Sequence, residues 1–270
     1  MTPMLMASDK SISYGHLLLN VSDVEAHKKF WAGTLGGVPM RVGVSAEEIV
    51  KFADLLIFLR DQPPTGSTKG TIVNHFGLQV PNLRETVDQL RTAGYPIATK
   101  TEVSAANAKN IKDDLAFIPD QNTYIAYVTG PDHTKLELVE NKALTVPIAF
   151  HHLHFFTPQI DETKAWYVRV FGAKPGKRGS FEAADLPGAN LTFSTSADPV
   201  VGTKGRLLDH IGFEVKDLKN FCEQLEGTGS TLDRPYTSLP ELNTSNAFIT
   251  DPWGTYIELT EGLASVSATA

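Results

Sequence analysis

Ser67–Gly94 reads STKGTIVNHFGLQVPNLRETVDQLRTAG, and Gly202–Gly229 reads GTKGRLLDHIGFEVKDLKNFCEQLEGTG. Lys69, Gly70, His75, Gly77, Leu83, Leu90 and Gly94 return as Lys204, Gly205, His210, Gly212, Leu218, Leu225 and Gly229, at a constant offset of 135. A second pair lies upstream of each copy. YGHLLLNVSDVEAHKKFWAGTLGGVP, from Tyr14, aligns with FHHLHFFTPQIDETKAWYVRVFGAKP, from Phe150. There His16 matches His152, Gly36 matches Gly172 and Pro39 matches Pro175, at an offset of 136. GPDHTKLELVE and DPWGTYIELTE close the halves and set Glu137 against Glu258. Self-similarity on this scale marks a duplicated supersecondary unit. Each half therefore holds two modules.

Each module opens with an apolar strand and continues into a helix. Asn82 and Glu85 form a capping-box-like start, Gly94 a stop, and Leu83, Val87 and Leu90 share one helical face. Asp217, Leu218, Phe221, Cys222, Leu225 and Gly229 repeat the pattern, which puts Cys222 on the buried stripe as a small core hydrophobe. Short strand-like runs follow, such as DLLIFLR, LAFIP, TYIAYVTG, NLTFSTS and AFIT. The reading is an α+β chain of four tandem βαβββ modules, paired into two cup-shaped mixed-sheet domains. Taken in chain order, the boundaries are a flexible tail over 1–13, an N-terminal domain over 14–143, a C-terminal domain over 148–263 and a flexible tail over 264–270. A short linker ending at Pro147 separates the halves.

Side chains alternate across a strand, so each strand sorts into two faces. Leu153, Phe155, Ile211, Phe213, Val215, Ile257 and Leu259 take the helix side. The opposite face collects His152, His154, His210, Glu214, Tyr256 and Glu258, and in the first half His16, Asn20, His75, Gln79, Lys135 and Glu137. Two imidazoles and one carboxylate hold a divalent ion while leaving residual positive charge and open coordination positions. The recurrence of that set at matching positions in both halves gives it weight that spacing alone lacks. Lys135 is placed to form an ion pair with Glu137. His151 falls on the helix side. Lys177 and Arg178, in PGKRGSFEAADLPGAN, are candidates to meet an anionic substrate.

These strands, together with the first-strand histidines and the closing DPWGTYIELTE, resemble the vicinal oxygen chelate superfamily, which contains glyoxalase I, extradiol dioxygenases and bleomycin-resistance proteins. The resemblance covers nearly the whole chain. It implies that His152, His210 and Glu258 ligate a metal in the C-terminal cup, and His16, His75 and Glu137 in the N-terminal one. It also implies Fe(II) or Mn(II) ahead of Zn(II) or Ni(II), and a small substrate chelating through vicinal oxygens. Glyoxalase I adds an acid on the last strand of the odd-numbered module, where Phe58 and Thr192 stand. Extradiol dioxygenases add a tyrosine about ten residues before the ligand glutamate and a histidine about fifteen before the second ligand histidine, where Phe248 and Thr195 stand. His154 is then the candidate acid–base group, with Tyr256 and Glu214 as further catalytic or substrate contacts. The expected function is extradiol-dioxygenase-like, with a glyoxalase-like lyase or isomerase and a non-catalytic binding or resistance protein as alternatives.

Composition excludes other classes. The 270 residues are 41% apolar and 20% charged with a net charge of −7 and no strong basic run, so neither nucleic acid nor a membrane surface is an expected partner. One cysteine allows no internal disulfide. No nucleophile elbow, HExxH or GxGxxG motif occurs. The chain is expected in the cytoplasm, as a monomer or a homodimer.

Overall fold

A computed structural model describes residues 12–41, 47–196 and 198–263. The expected tail over 264–270 and most of that over 1–13 lie outside the described residues, and Ile12 and Ser13 already belong to the first strand, Ile12–Val21. Four modules follow one another. Each has a long first strand (Ile12–Val21, Val73–Val80, Ala149–Thr157 and Leu208–Val215), a helix, and an antiparallel run of shorter strands; the second module carries one extra short strand, Ile111–Lys112. The fold is α+β, as the repeat predicts.

Pairing of the modules departs from chain order. One eight-stranded sheet joins the first module to the fourth, and one nine-stranded sheet joins the second to the third. The seams are antiparallel pairs of first strands, Ile12–Val21 with Leu208–Val215 and Ala149–Thr157 with Val73–Val80. Both sheets therefore cross the boundary expected between 14–143 and 148–263. We call the outer cup that of the first and fourth modules, and the inner cup that of the second and third. The repeat is silent on this choice, because equivalent first strands offer the same residue types and either pairing buries the same faces.

The face sorting holds. Leu153, Phe155, Ile211, Phe213, Val215, Ile257 and Leu259 are buried in one apolar cluster that draws on all four modules. The Asn82 cap forms as expected, its side chain accepting from the Glu85 backbone N–H at 3.3 Å. Asp217 does not repeat it. That residue is left-handed, and the Glu261 carboxylate accepts instead from the Asp217 and Leu218 N–H groups at 2.8 and 3.3 Å. Cys222 is buried on the core face.

Each seam carries a bulge that aims a histidine. Gly15 is the unpaired residue between Tyr14 and His16, and His151 the one between Phe150 and His152. An extra residue of this kind re-aims the side chain beside it. The ring of His16 then lies on Gly212 and that of His152 on Gly77, so closely that a Cβ there would stand 2.1 and 2.2 Å from the imidazole Cε1 atoms. The glycine of each HxG strand is thus fixed by the histidine of the partner module.

Candidate metal centres

The structure gathers the six expected ligands into two triads with one exchange. His16 joins His210 and Glu258 in the outer cup, and His152 joins His75 and Glu137 in the inner cup. The expected groupings His152–His210–Glu258 and His16–His75–Glu137 do not form, because first strands pair across the halves. In each cup the ligand atoms lie within 4.8 Å of one another, and in the inner cup His154 belongs to the same group.

In the outer cup, His16 Nε2 and His210 Nε2 lie 2.9 and 3.1 Å from one oxygen, Glu258 Oε2. The other oxygen accepts from Asn246 Nδ2 at 3.0 Å. In the inner cup, His75 Nε2 and His152 Nε2 lie 3.0 and 3.6 Å from Glu137 Oε2. Arg178 Nη2 donates to Oε1 at 3.0 Å, and the Tyr127 hydroxyl donates to Oε2 at 2.7 Å. Each carboxylate thus has one oxygen held by the protein and one turned to the imidazoles, as the outer partners of a metal site arrange it.

The donor chemistry suits a divalent ion. Lys135 Nζ can only donate, and it contacts Asn74 Oδ1 at 2.8 Å; the same oxygen lies 2.9 Å from His75 Nδ1, which must therefore carry the proton. Burial lowers the His75 pKa to about 4, so its Nε2 is a bare lone pair facing a carboxylate. His152 is likewise held neutral by burial and by Arg178, and its buried Nε2 has no hydrogen-bond partner among the described residues. Burial pushes the Glu137 carboxyl up, but the cationic surroundings, Arg178 being the standing charge once the imidazoles are neutral, hold the group well below the usual carboxylate range. A cation among these atoms relieves every one of these unfavourable contacts. In the outer cup Asp209 Oδ1 faces His210 Nδ1 at 2.8 Å and orients that ring in the same way. Burial lowers His210, yet Asp209 and Glu258 raise its pKa overall.

The remaining expected residues divide between the cups. His154 lines the inner cavity of about 310 Å³, its Nε2 2.7 Å from Ser194 Oγ and its ring 5.1 and 5.2 Å from Phe156 and Phe181. Burial, then His75, lowers its pKa well below the ordinary value. Tyr256 and Glu214 belong to the outer half, and neither lines its cavity of about 230 Å³. Tyr256 stacks on Phe248 at 5.1 Å and meets His210 edge-on at 5.7 Å. Glu214 clamps a strand end, accepting from Thr260 Oγ1 at 2.7 Å and the Gly262 N–H at 2.6 Å. Lys135 pairs with Glu102 at 2.9 Å, so the cation on Glu137 is Arg178 and not the expected lysine. His151 does not sit in the core; its Nδ1 lies 2.8 Å from His152 Nδ1 at a half-exposed site.

Phe58 and Thr192 stand where a fourth acid would be. Phe58 packs against His16 at 5.1 Å, and Thr192 Oγ1 accepts from Arg178 Nη1 at 3.2 Å. Residues that the sequence reading passed over are Tyr127, Asn74, Asp209 and Asn246. Tyr127 lies ten residues before Glu137, the spacing tested in the other half on Phe248. Asn74 and Asp209 directly precede the strand histidines, so a polar residue before HxG is the signal that marks them.

The Glyoxalase/Bleomycin resistance protein/Dioxygenase superfamily model matches residues 13–138 and 149–259, and the chain belongs to that family. Among solved structures it is similar to glyoxalase I from Zea mays, at 15% identity and a TM-score of 0.70, covering 94% of each chain. It is also similar to a candidate dioxygenase from Bacillus subtilis, at 15% identity and a TM-score of 0.67, covering 94% of this chain and 86% of the other. At that identity the likenesses establish the fold. No curated protein sequence matches. Among the described residues no helix is long and apolar enough to cross a membrane.

Proposed function

We propose that the chain is a metal-dependent oxygenase of the extradiol type, acting in its inner cup on a small molecule that presents two adjacent oxygens. One observation carries the reading. The inner cup alone combines a three-residue ligand set, no acid at the fourth position, and two proton-handling groups, His154 and Tyr127, on one cavity. His75, His152 and Glu137 would hold the metal, Fe(II) or Mn(II) with Zn(II) or Ni(II) as alternatives, and when bound it would supply Lewis acidity toward the substrate oxygens and dioxygen.

The protein's own groups do the rest. Burial keeps His154 neutral, so a ring nitrogen is available to take a proton from a substrate hydroxyl. Ser194 holds that ring in place. Phe156, tilted, and Phe181, edge-on, pack against it and give the cavity an aromatic lining that suits an apolar ring. Tyr127, whose hydroxyl is kept protonated by burial and by Glu137, donates to the Glu137 oxygen that faces the imidazoles, which places its proton at the edge of the triad. Arg178 fixes Glu137 and occupies the side of the cup where a lyase of the glyoxalase type needs its second acid.

Oxygen uptake decides the matter. Protein purified without oxygen or chelator and loaded with Fe(II) is expected to consume oxygen with catechols, and Glu137→Gln to abolish that uptake. Isomerisation of a dicarbonyl adduct without oxygen consumption would instead establish the lyase.

A further inference from the structure

Each cation of the inner cavity has its own carboxylate, whereas the outer cavity, lined by Glu47 and Glu258 as well as two arginines, leaves one arginine without an ion-pair partner among the described residues. Inside the inner cavity Lys135 pairs with Glu102 and Arg178 with Glu137. The outer cavity is lined by two arginines. Arg60 lies 3.3 Å from Glu47 and 3.6 Å from Asp209. Arg234 has no carboxylate partner among the described residues; its guanidinium carbon sits 5.0 Å from the centre of the Phe248 ring, which stands 5.5 Å from His210. A cation is thus presented one aromatic ring away from the His16–His210–Glu258 triad. Leu18, Phe58, Leu239 and Leu242 give the cavity an apolar part of its lining, beside the polar Thr244, Ser245, Asn246 and Thr260. Where the inner cup has His154 and Tyr127, the outer cup has Leu18 and Phe248, neither of which moves a proton.

We infer that the outer cup binds a small anion with an apolar body, its carboxylate on Arg234, and holds it without turnover. The inference rests on the preceding reading only in assigning turnover to the inner cup. Arginine is suited to this because its planar fork recognises a carboxylate in two-point geometry while stacking on an aromatic face. The apolar part of the lining takes the body of the ligand, and the triad end of the cavity receives its polar oxygens.

The test uses the full chain loaded with zinc, which has no redox chemistry, and calorimetric titration with 3,4-dihydroxybenzoate and with catalytically comparable catechol lacking the carboxylate. The expected result is at least about tenfold tighter binding of the carboxylate probe, the scale of a hydrogen bond to a charged group. Arg234→Gln is expected to bring the two probes to parity, and Arg234→Lys to restore part of the preference. Equal binding of both probes to the unmodified protein, or a preference that survives Arg234→Gln, overturns the site. Turnover is tested separately in iron-loaded protein. Oxygen uptake that persists in Glu137→Gln and disappears in Arg234→Gln would put catalysis in the outer cup and overturn the claim of holding without turnover. A chain that consumes no oxygen at all refutes the oxygenase reading and leaves the binding comparison to decide the anion site.

Discussion

The inner and outer cups share one plan of strands and one candidate ligand triad, and they differ in what surrounds it. Both turn one carboxylate oxygen toward two imidazole Nε2 atoms and tie the other to the protein, through Arg178 in the inner cup and Asn246 in the outer. Around the inner triad stand His154, Tyr127 and a neutral Asn74; around the outer stand Leu18, Phe248 and an anionic Asp209. The ligand set alone therefore does not define an activity. On the proposed reading, proton-handling groups would give one cup the means for chemistry, whereas the extra negative charge beside His210 would give the other a stronger hold on a dication.

The largest effects are expected from the ligand carboxylates. Glu137→Gln and Glu258→Gln should each remove one metal equivalent, measured by elemental analysis. The loss of turnover should be at least about a hundredfold greater for Glu137→Gln if proton transfer is confined to the inner cup. Equal losses would break the division of labour. His154→Ala comes next. It should lower turnover by roughly 10²–10⁴ while metal content stays constant, the range for removing a positioned acid or base. If metal is lost with it, His154 is a fourth ligand and not a proton carrier.

Module count, helix stripes, most strand faces and the six residues that the structure gathers into the two candidate triads were legible in the sequence, because each rests on a local period or on the repeat itself. Which ligands meet was not. Leu208–Val215 and Val73–Val80 present the same HxG pattern to an incoming first strand, so nothing local distinguishes the partner of His16 from that of His152. Arg178 shows a second limit. It lies on the Lys174–Arg178 strand, far along the chain from Glu137, and only the folded sheet brings its guanidinium to that carboxylate. Tyr127 was within reach of sequence reasoning, since the ten-residue spacing that fails at Phe248 succeeds in the first half.

Smaller effects probe the seams. Gly77→Ala and Gly212→Ala would each drive a Cβ into a ligand imidazole and should destabilise the fold by about 1–3 kcal/mol, the usual cost of overpacking. Each should also weaken metal binding in its own cup, His152 being displaced in the first and His16 in the second. Loss in the opposite cup would mean that the two sheets do not fold around their seams as paired here.

The smallest expected effect bears on the difference between Asp209 and Asn74. Burial raises the Asp209 carboxyl, but the hydrogen bond and charge of His210 outweigh it and hold the group at about 2. A carboxylate depressed in the folded state contributes stability that is present above its unfolded pKa and lost as pH falls through the folded value. In metal-free protein this contribution, roughly 2 kcal/mol, should fade between about pH 4 and pH 2. Denaturant unfolding across that window should show a component in the unmodified chain that is missing in Asp209→Asn. The substitution makes the outer cup resemble the inner one, so its metal affinity should fall by about tenfold, the lower end of the range for an outer partner of a ligand histidine. Asn74→Asp should raise the affinity of the inner cup. An Asp209→Asn protein with unchanged affinity would show that charge beside the histidine does not separate the cups, leaving His154 and Tyr127 as the difference that matters.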